Sequence, residues 1–184
     1  RSPRDRAIVK GDSTITVVAG PEYVSGKMKS IWMGALYRDS WSIPVRVPLL
    51  DLEVVKGGLC PFAVGGGRQT TSLKFNGGDG SEYVFRSVNK DPIKALPEEL
   101  KKTFVVSMVR QITATQHPYG ALVVSSLLDR TDILHARPSL YVLPNHPALG
   151  TFRERYQGLF GMLEDRPKGI KNDLPGFAGA DDVD

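Results

Sequence analysis

Cysteine is almost absent from this chain: Cys60 is the single one in 184 residues. An intrachain disulfide framework is therefore excluded, and with no Cys/His cluster beside Cys60 a zinc or iron–sulfur site lacks a ligand set. Cys60 reads as a small buried apolar residue rather than a reactive thiol. Histidine is scarce too. His117, His135 and His146 stand in different segments, so their spacing predicts no metal site. Long hydrophobic runs are missing: no stretch approaches the roughly 18 apolar residues of a membrane span, and the N-terminal residues lack the apolar centre of a secretory signal. The expectation is a chain with no direct membrane insertion. Charge of one sign is nowhere concentrated. The net charge is +4, with 24 Lys and Arg against 20 Asp and Glu, and this interspersion argues against a nucleic-acid partner. No Ser-His-Asp set or Cys-His pair can be assembled from spacing, and no Gly-Lys-Ser/Thr completes a P-loop. No catalytic residue is assigned.

What is there fits one domain with its own core. The predicted fold class is α+β: a mainly antiparallel sheet with two or three packed helices. Residues 1–12 read as a flexible leader, 13–167 as a single domain and 168–184, rich in glycine and proline, as a loose tail. Because the chain opens with Arg1 rather than methionine, it reads as a piece of something longer. Within the domain, residues 13–58 are extended or irregular and residues 59–167 carry the hairpin and helices.

Ser13-Thr14-Ile15-Thr16-Val17-Val18-Ala19 has the β-branched alternation of a strand, stopped by Gly20-Pro21. Residues 23–41 fit neither period and read as irregular, with a short helix over 30–36. Residues 43–52 look extended, since Pro44 and Pro48 forbid a helix and suit an edge strand. Pro97-Glu98-Glu99 opens a helix that runs through Phe104, Val105, Met108, Val109 and Ile112, whose three- and four-residue spacing predicts one buried face. His117-Pro118 breaks it, and residues 119–128 form a second helical stretch. Residues 133–143 resemble a strand or a bent pair of strands. Residues 149–159 suit a further helix.

The most informative stretch is Val64-Gly65-Gly66-Gly67-Arg68-Gln69-Thr70-Thr71-Ser72-Leu73-Lys74-Phe75, followed after Asn76-Gly77-Gly78-Asp79-Gly80 by Tyr83-Val84-Phe85-Arg86-Ser87. It predicts a glycine-rich loop leading into a β-hairpin. Three consecutive glycines let backbone N–H groups approach a ligand, and the returning strand carries a cation. Alternation puts Val84, Arg86 and Val88 on one side and Tyr83, Phe85 and Ser87 on the other. Arg86 is then either a solvent-facing residue on an open sheet or a cation aimed into a cleft.

The order of extended segment, glycine loop, hairpin with a strand cation, helix, further strands and Met162-Leu163-Glu164-Asp165 resembles the small lobe of a protein-kinase-like fold. It is similar to the atypical kinases of the HipA, phosphoinositide 4-kinase and Fam20 groups, with Tyr83-Val84-Phe85-Arg86 at their tyrosine-isoleucine-phenylalanine-lysine motif. The resemblance implies ATP with Mg²⁺ as cofactor. It sets Gly65, Gly66, Gly67 and Gln69 over the phosphates, Arg86 on the α/β-phosphates, Val84 against adenine, and Glu164 and Asp165 in the linker whose backbone binds the base. Tyr37-Arg38-Asp39-Ser40-Trp41, residues 44–52, 65–73, 83–92 and 161–167 further resemble a domain of large bacterial envelope proteins. Those proteins also carry a metallophosphoesterase-like part and an outer-membrane barrel of the BamA/TamA or surface-antigen type, which implies a place in the cell envelope.

Arginine stands where that motif has lysine, and its planar fork fills a cleft differently. No catalytic loop or Asp-Phe-Gly equivalent is present, and no metal ligand is assigned, so phosphoryl transfer lacks machinery in this chain. The expected function is an incomplete kinase-like module with a nucleotide or phosphate ligand, not catalytic alone. The alternative is a non-enzymatic scaffold that docks an envelope or outer-membrane protein through an exposed sheet or through residues 23–41, where Trp32, Tyr37, Arg38 and Trp41 are residue types common in interfaces.

Overall fold

The computed structural model describes residues 14–23, 38–65 and 70–166. It is an α+β fold built on a five-stranded antiparallel sheet. In chain order the strands are β1 (Thr14–Val17), β2 (Val45–Pro48), β3 (Leu59–Gly65), β4 (Ser72–Gly77), β5 (Glu82–Ser87), β6 (Ser139–Val142) and β7 (Phe160–Arg166). The described helices are α1 (Arg38–Ser42), α2 (Val105–Ala114), α3 (Gly120–Leu128) and α4 (Arg153–Tyr156). The large sheet runs β3-β4-β5-β7-β6, while β1 and β2 pair by themselves. Both helices α2 and α3 therefore lie in the connection between β5 and β6, and the chain returns to set β7 directly beside β5.

The β4–β5 hairpin forms as its sequence dictates. Gly80 takes φ +82°, and the Asp79 carboxylate accepts the Ser81 N–H at 3.0 Å, so side chain and glycine together close the turn. Gly78 lets that turn press on the preceding loop, because a Cβ there would collide with the Gly57 carbonyl.

Alternation then splits the sheet into two faces. On one, Leu59, Leu73, Phe75, Tyr83, Phe85 and Leu163 pack with Leu50, Leu52, Leu143, Leu149 and Tyr156. Each large side chain buried here stabilises by about 1.5–3 kcal/mol. Tyr156 is itself buried and donates its hydroxyl to the Ser72 carbonyl at 2.9 Å. On the other face, Met162 and Val88 pack with Ala19, Tyr23, Trp41 and Ala114. The Trp41 indole donates to the Gln116 carbonyl at 2.8 Å, tying α1 to the end of α2.

Several sequence expectations change. Of residues 133–143, read as a strand or a bent pair of strands, only Ser139–Val142 is a strand, and residues 149–159, read as a helix, hold the end of a 3-10 helix over Pro147–Phe152 and the short α4. The helix expected to open at Pro97 begins only at Val105. Thr103 Oγ1 donates to the Leu100 carbonyl and accepts the Val105 N–H, a local arrangement that competes with helix in the preceding turn. The apolar stripe of α2 is not buried: Phe104 is 75% exposed and Ile112 61%, because α2 docks through Thr113 and Ala114 at its C-terminal end. Cys60 is exposed, since Leu59 takes the inward position on β3 and the next residue must face out. Arg38–Ser42, read as irregular, is helical. The helix expected over 30–36, the leader and the tail lie outside the described residues.

Candidate functional site

Between the sheet and the α2–α3 corner lies a cavity of about 290 Å³. Arg86, Met162 and Glu164 form its floor, and Gln116, His117 and Pro118 stand opposite, with Thr70 and Lys90 at the rim. The floor follows from register: Arg86 pairs with Met162, and Val84 with Glu164. In an antiparallel ladder directly paired residues rise from the same face, so Arg86 and Glu164 are diagonal neighbours. Arg86 Nε lies 3.3 Å from Glu164 Oε2.

The rim is fixed by buried aromatics. Tyr23 packs against Trp41 with ring centroids 4.6 Å apart and ring planes tilted by 55°, and its hydroxyl donates to the Lys90 carbonyl at 2.9 Å. Burial, reinforced by Glu22 and Asp91, pushes the Tyr23 phenol up to about 12, so it remains a donor at neutral pH. Lys90 Nζ in turn reaches Gln116 Oε1 at 3.5 Å.

The sequence-derived residues divide. Arg86 and Glu164 meet at the cavity. Gly65 lies on the same cross-strand row as Arg86, through Ser72, two strands away or roughly 10 Å. It does not line the cavity, and a Cβ there would strike the Ser72 side chain. Gly66, Gly67 and Gln69 lie outside the described residues, although Thr70 immediately after them reaches the rim. Val84 is buried on the cavity's side of β5 without lining it. Asp165 belongs to the opposite face, where Lys56 Nζ approaches it at 3.5 Å. Glu164 and Asp165, assigned to a linker, both lie inside strand β7 and pair with Val84 and Tyr83.

Sequence reasoning missed Lys90, Gln116 and His117 as site residues. The signal was His117-Pro118 itself: a proline break between two helical stretches puts polar residues at a helix corner. Each histidine has a local partner. His117 Nδ1 accepts the Tyr119 N–H at 3.1 Å, His146 Nδ1 accepts the Ala148 N–H at 3.2 Å, and His135 Nε2 lies 3.1 Å from Asp129.

Chemically, the cavity offers two cations, one carboxylate and neutral polar groups beside the apolar Trp41, Val88 and Met162, which suits an anion with an organic substituent. Arg86 and Lys90 fit the phosphates of the implied ATP. Among the described residues no group of three or more His, Cys, Asp or Glu side chains gathers as a metal site. No family model, no curated protein and no solved structure matches this chain.

Proposed function

We propose that this chain supplies one wall of a phosphate- or nucleotide-binding site, as an incomplete kinase-like module of a larger envelope-associated bacterial protein that does not catalyse alone. The observation that carries the reading is Arg86, a cation on the middle strand that faces a cavity whose rim includes the residue leaving the glycine-rich loop. The order of glycine loop, hairpin, helices and a strand returning beside the cation supports the resemblance. At about 290 Å³ the cavity stands at the low end of ligand pockets, which run from about 300 to 1,000 Å³. It suits the phosphate-bearing part of a nucleotide, and the reading assigns enclosure of the rest to another part of the complete protein.

Calorimetric titration of ATP with Mg²⁺ into the wild type and Arg86→Ala tests this. The wild type binds weakly, in the millimolar range, and Arg86→Ala loses about tenfold or more, the worth of a charged hydrogen bond. Absence of heat from the wild type at millimolar ATP overturns the reading.

A second reading, an interaction domain, is favoured by the apolar surface of α2 and α3. Phe104, Met108, Ile112, Val123, Val124 and Leu127 are all exposed, and α3 contains no charged residue. A helix without a charged face is normally covered, and exposed apolar surfaces mark contacts with other proteins. The contact face this reading names is the exposed apolar surface of α2 and α3, and self-association through it at high concentration is its readout. Sedimentation at rising concentration compares the wild type with a Met108→Gln, Ile112→Gln, Leu127→Gln variant. Association that the triple variant abolishes without lowering its melting temperature supports the reading, and equal behaviour of the two chains removes it.

A further inference from the structure

The cation on the cavity floor already has a partner from within the chain. Glu164 meets Arg86 across 3.3 Å, and the carboxylate is the more covered of the two, with 19% of its side chain exposed against 52% for Arg86. Drawing Arg86 away from Glu164 therefore leaves a partly covered carboxylate without its partner, a modest cost unless another donor replaces the guanidinium. Sulfate, fully deprotonated at neutral pH, brings no such donor and also meets the like charge of the carboxylate at close range. A phosphoester with a neighbouring hydroxyl brings both groups at once.

We propose that Glu164 determines specificity at this cavity, favouring hydroxyl-bearing phosphoesters over bare inorganic anions: phosphate takes Arg86 while the ligand hydroxyl donates to the Glu164 carboxylate. The proposal rests on the anion-binding reading above. The geometry suits the exchange. Arg86 presents five N–H donors and engages Glu164 through Nε, leaving the rest of its fork for phosphate. Lys90 at the rim adds a second positive charge for a dianion. Among the described residues Glu164 meets no cation other than Arg86.

Inorganic sulfate and ribose 5-phosphate are titrated separately into the wild type, Glu164→Gln, Glu164→Asp and Arg86→Ala, with a melting curve for each. The wild type binds ribose 5-phosphate more tightly than sulfate. Glu164→Gln tightens sulfate by about two- to fivefold, the scale of a half-exposed ion pair, and weakens ribose 5-phosphate, so the preference shrinks or reverses. Opposite movements for two ligands are not produced by general loosening of the fold. Glu164→Asp, with its carboxylate drawn back by one methylene, keeps the order of preference with a smaller gap, and it carries the test should the Gln variant melt early. If Glu164→Gln moves both ligands in one direction or neither, or the Asp gap equals that of the wild type, the specificity proposal falls while anion binding stands. If neither ligand binds the wild type or Glu164→Gln, the anion-binding reading itself falls.

Discussion

The two faces of the five-stranded sheet are built from alternate residues of the same strands, yet they do different work. Phe85 on β5 is fully buried in a sealed apolar core, and its chain neighbour Arg86 is an exposed cation over a cavity. Met162 and Leu163 on β7 divide in the same way between the two cores. The sealed face is closed by Leu143, Leu149 and Tyr156. The other is covered only in part, because α2 and α3 dock at their shared corner and leave apolar surface exposed. Stability is thus concentrated on one side, which leaves the other free to hold a half-exposed charge pair.

The largest effect that breaks this comparison is Phe85→Ala. A cavity in the sealed face costs about 3–5 kcal/mol, and the melting temperature falls by roughly 10 °C; a fall of a degree or two would mean that this face is not the main source of stability. Alkali acts on both sides and comes next. Tyr23, by burial and the nearby acids, is raised to about 12, and burial raises Tyr119 and Tyr156 as well. Each phenol is favoured neutral in the fold, with an unfolded value of about 10. The stabilisation is complete below about pH 10 and disappears as pH climbs through the folded values. Melting curves between pH 8 and 12 therefore turn downward above pH 10, and Tyr23→Phe flattens part of that slope. The smallest effect is that of Arg86→Ala on stability, within about 1 kcal/mol for a pair this exposed, even though the same change is expected to weaken the proposed anion binding by about tenfold. Equal losses of stability from Phe85→Ala and Arg86→Ala would erase the distinction between the faces.

Much of the sheet was legible. The alternation in Tyr83-Val84-Phe85-Arg86 and the Asn76-Gly77-Gly78-Asp79-Gly80 turn specify a hairpin through local rules alone, and the structure has it. The apolar spacing in α2 was equally clear but misleading. Periodicity reports which residues share a helical face, whereas burial of that face depends on what lies across from it. Cys60 shows the same limit in a strand, since composition suggests an interior thiol and the neighbouring Leu59 takes the inward place. Of the site, Arg86 was visible as a charge between apolar residues. Its partner was not visible as a partner: Glu164 is 78 residues away in sequence, and only the placement of β7 beside β5 brings them to 3.3 Å.

The sequence by itself determined the local elements: an antiparallel α+β chain, a glycine-bounded hairpin, a strand that points a cation opposite its aromatics, and helices broken at His117-Pro118. These depend on backbone freedom, periodicity and turn chemistry, which act over a few residues. Tertiary structure alone decided that Arg86 overlooks a cavity, that Asp165 faces away from it, and that a carboxylate from a distant strand meets the guanidinium. Those outcomes depend on strand order and on how helices dock, and both are set by packing between segments far apart in the chain.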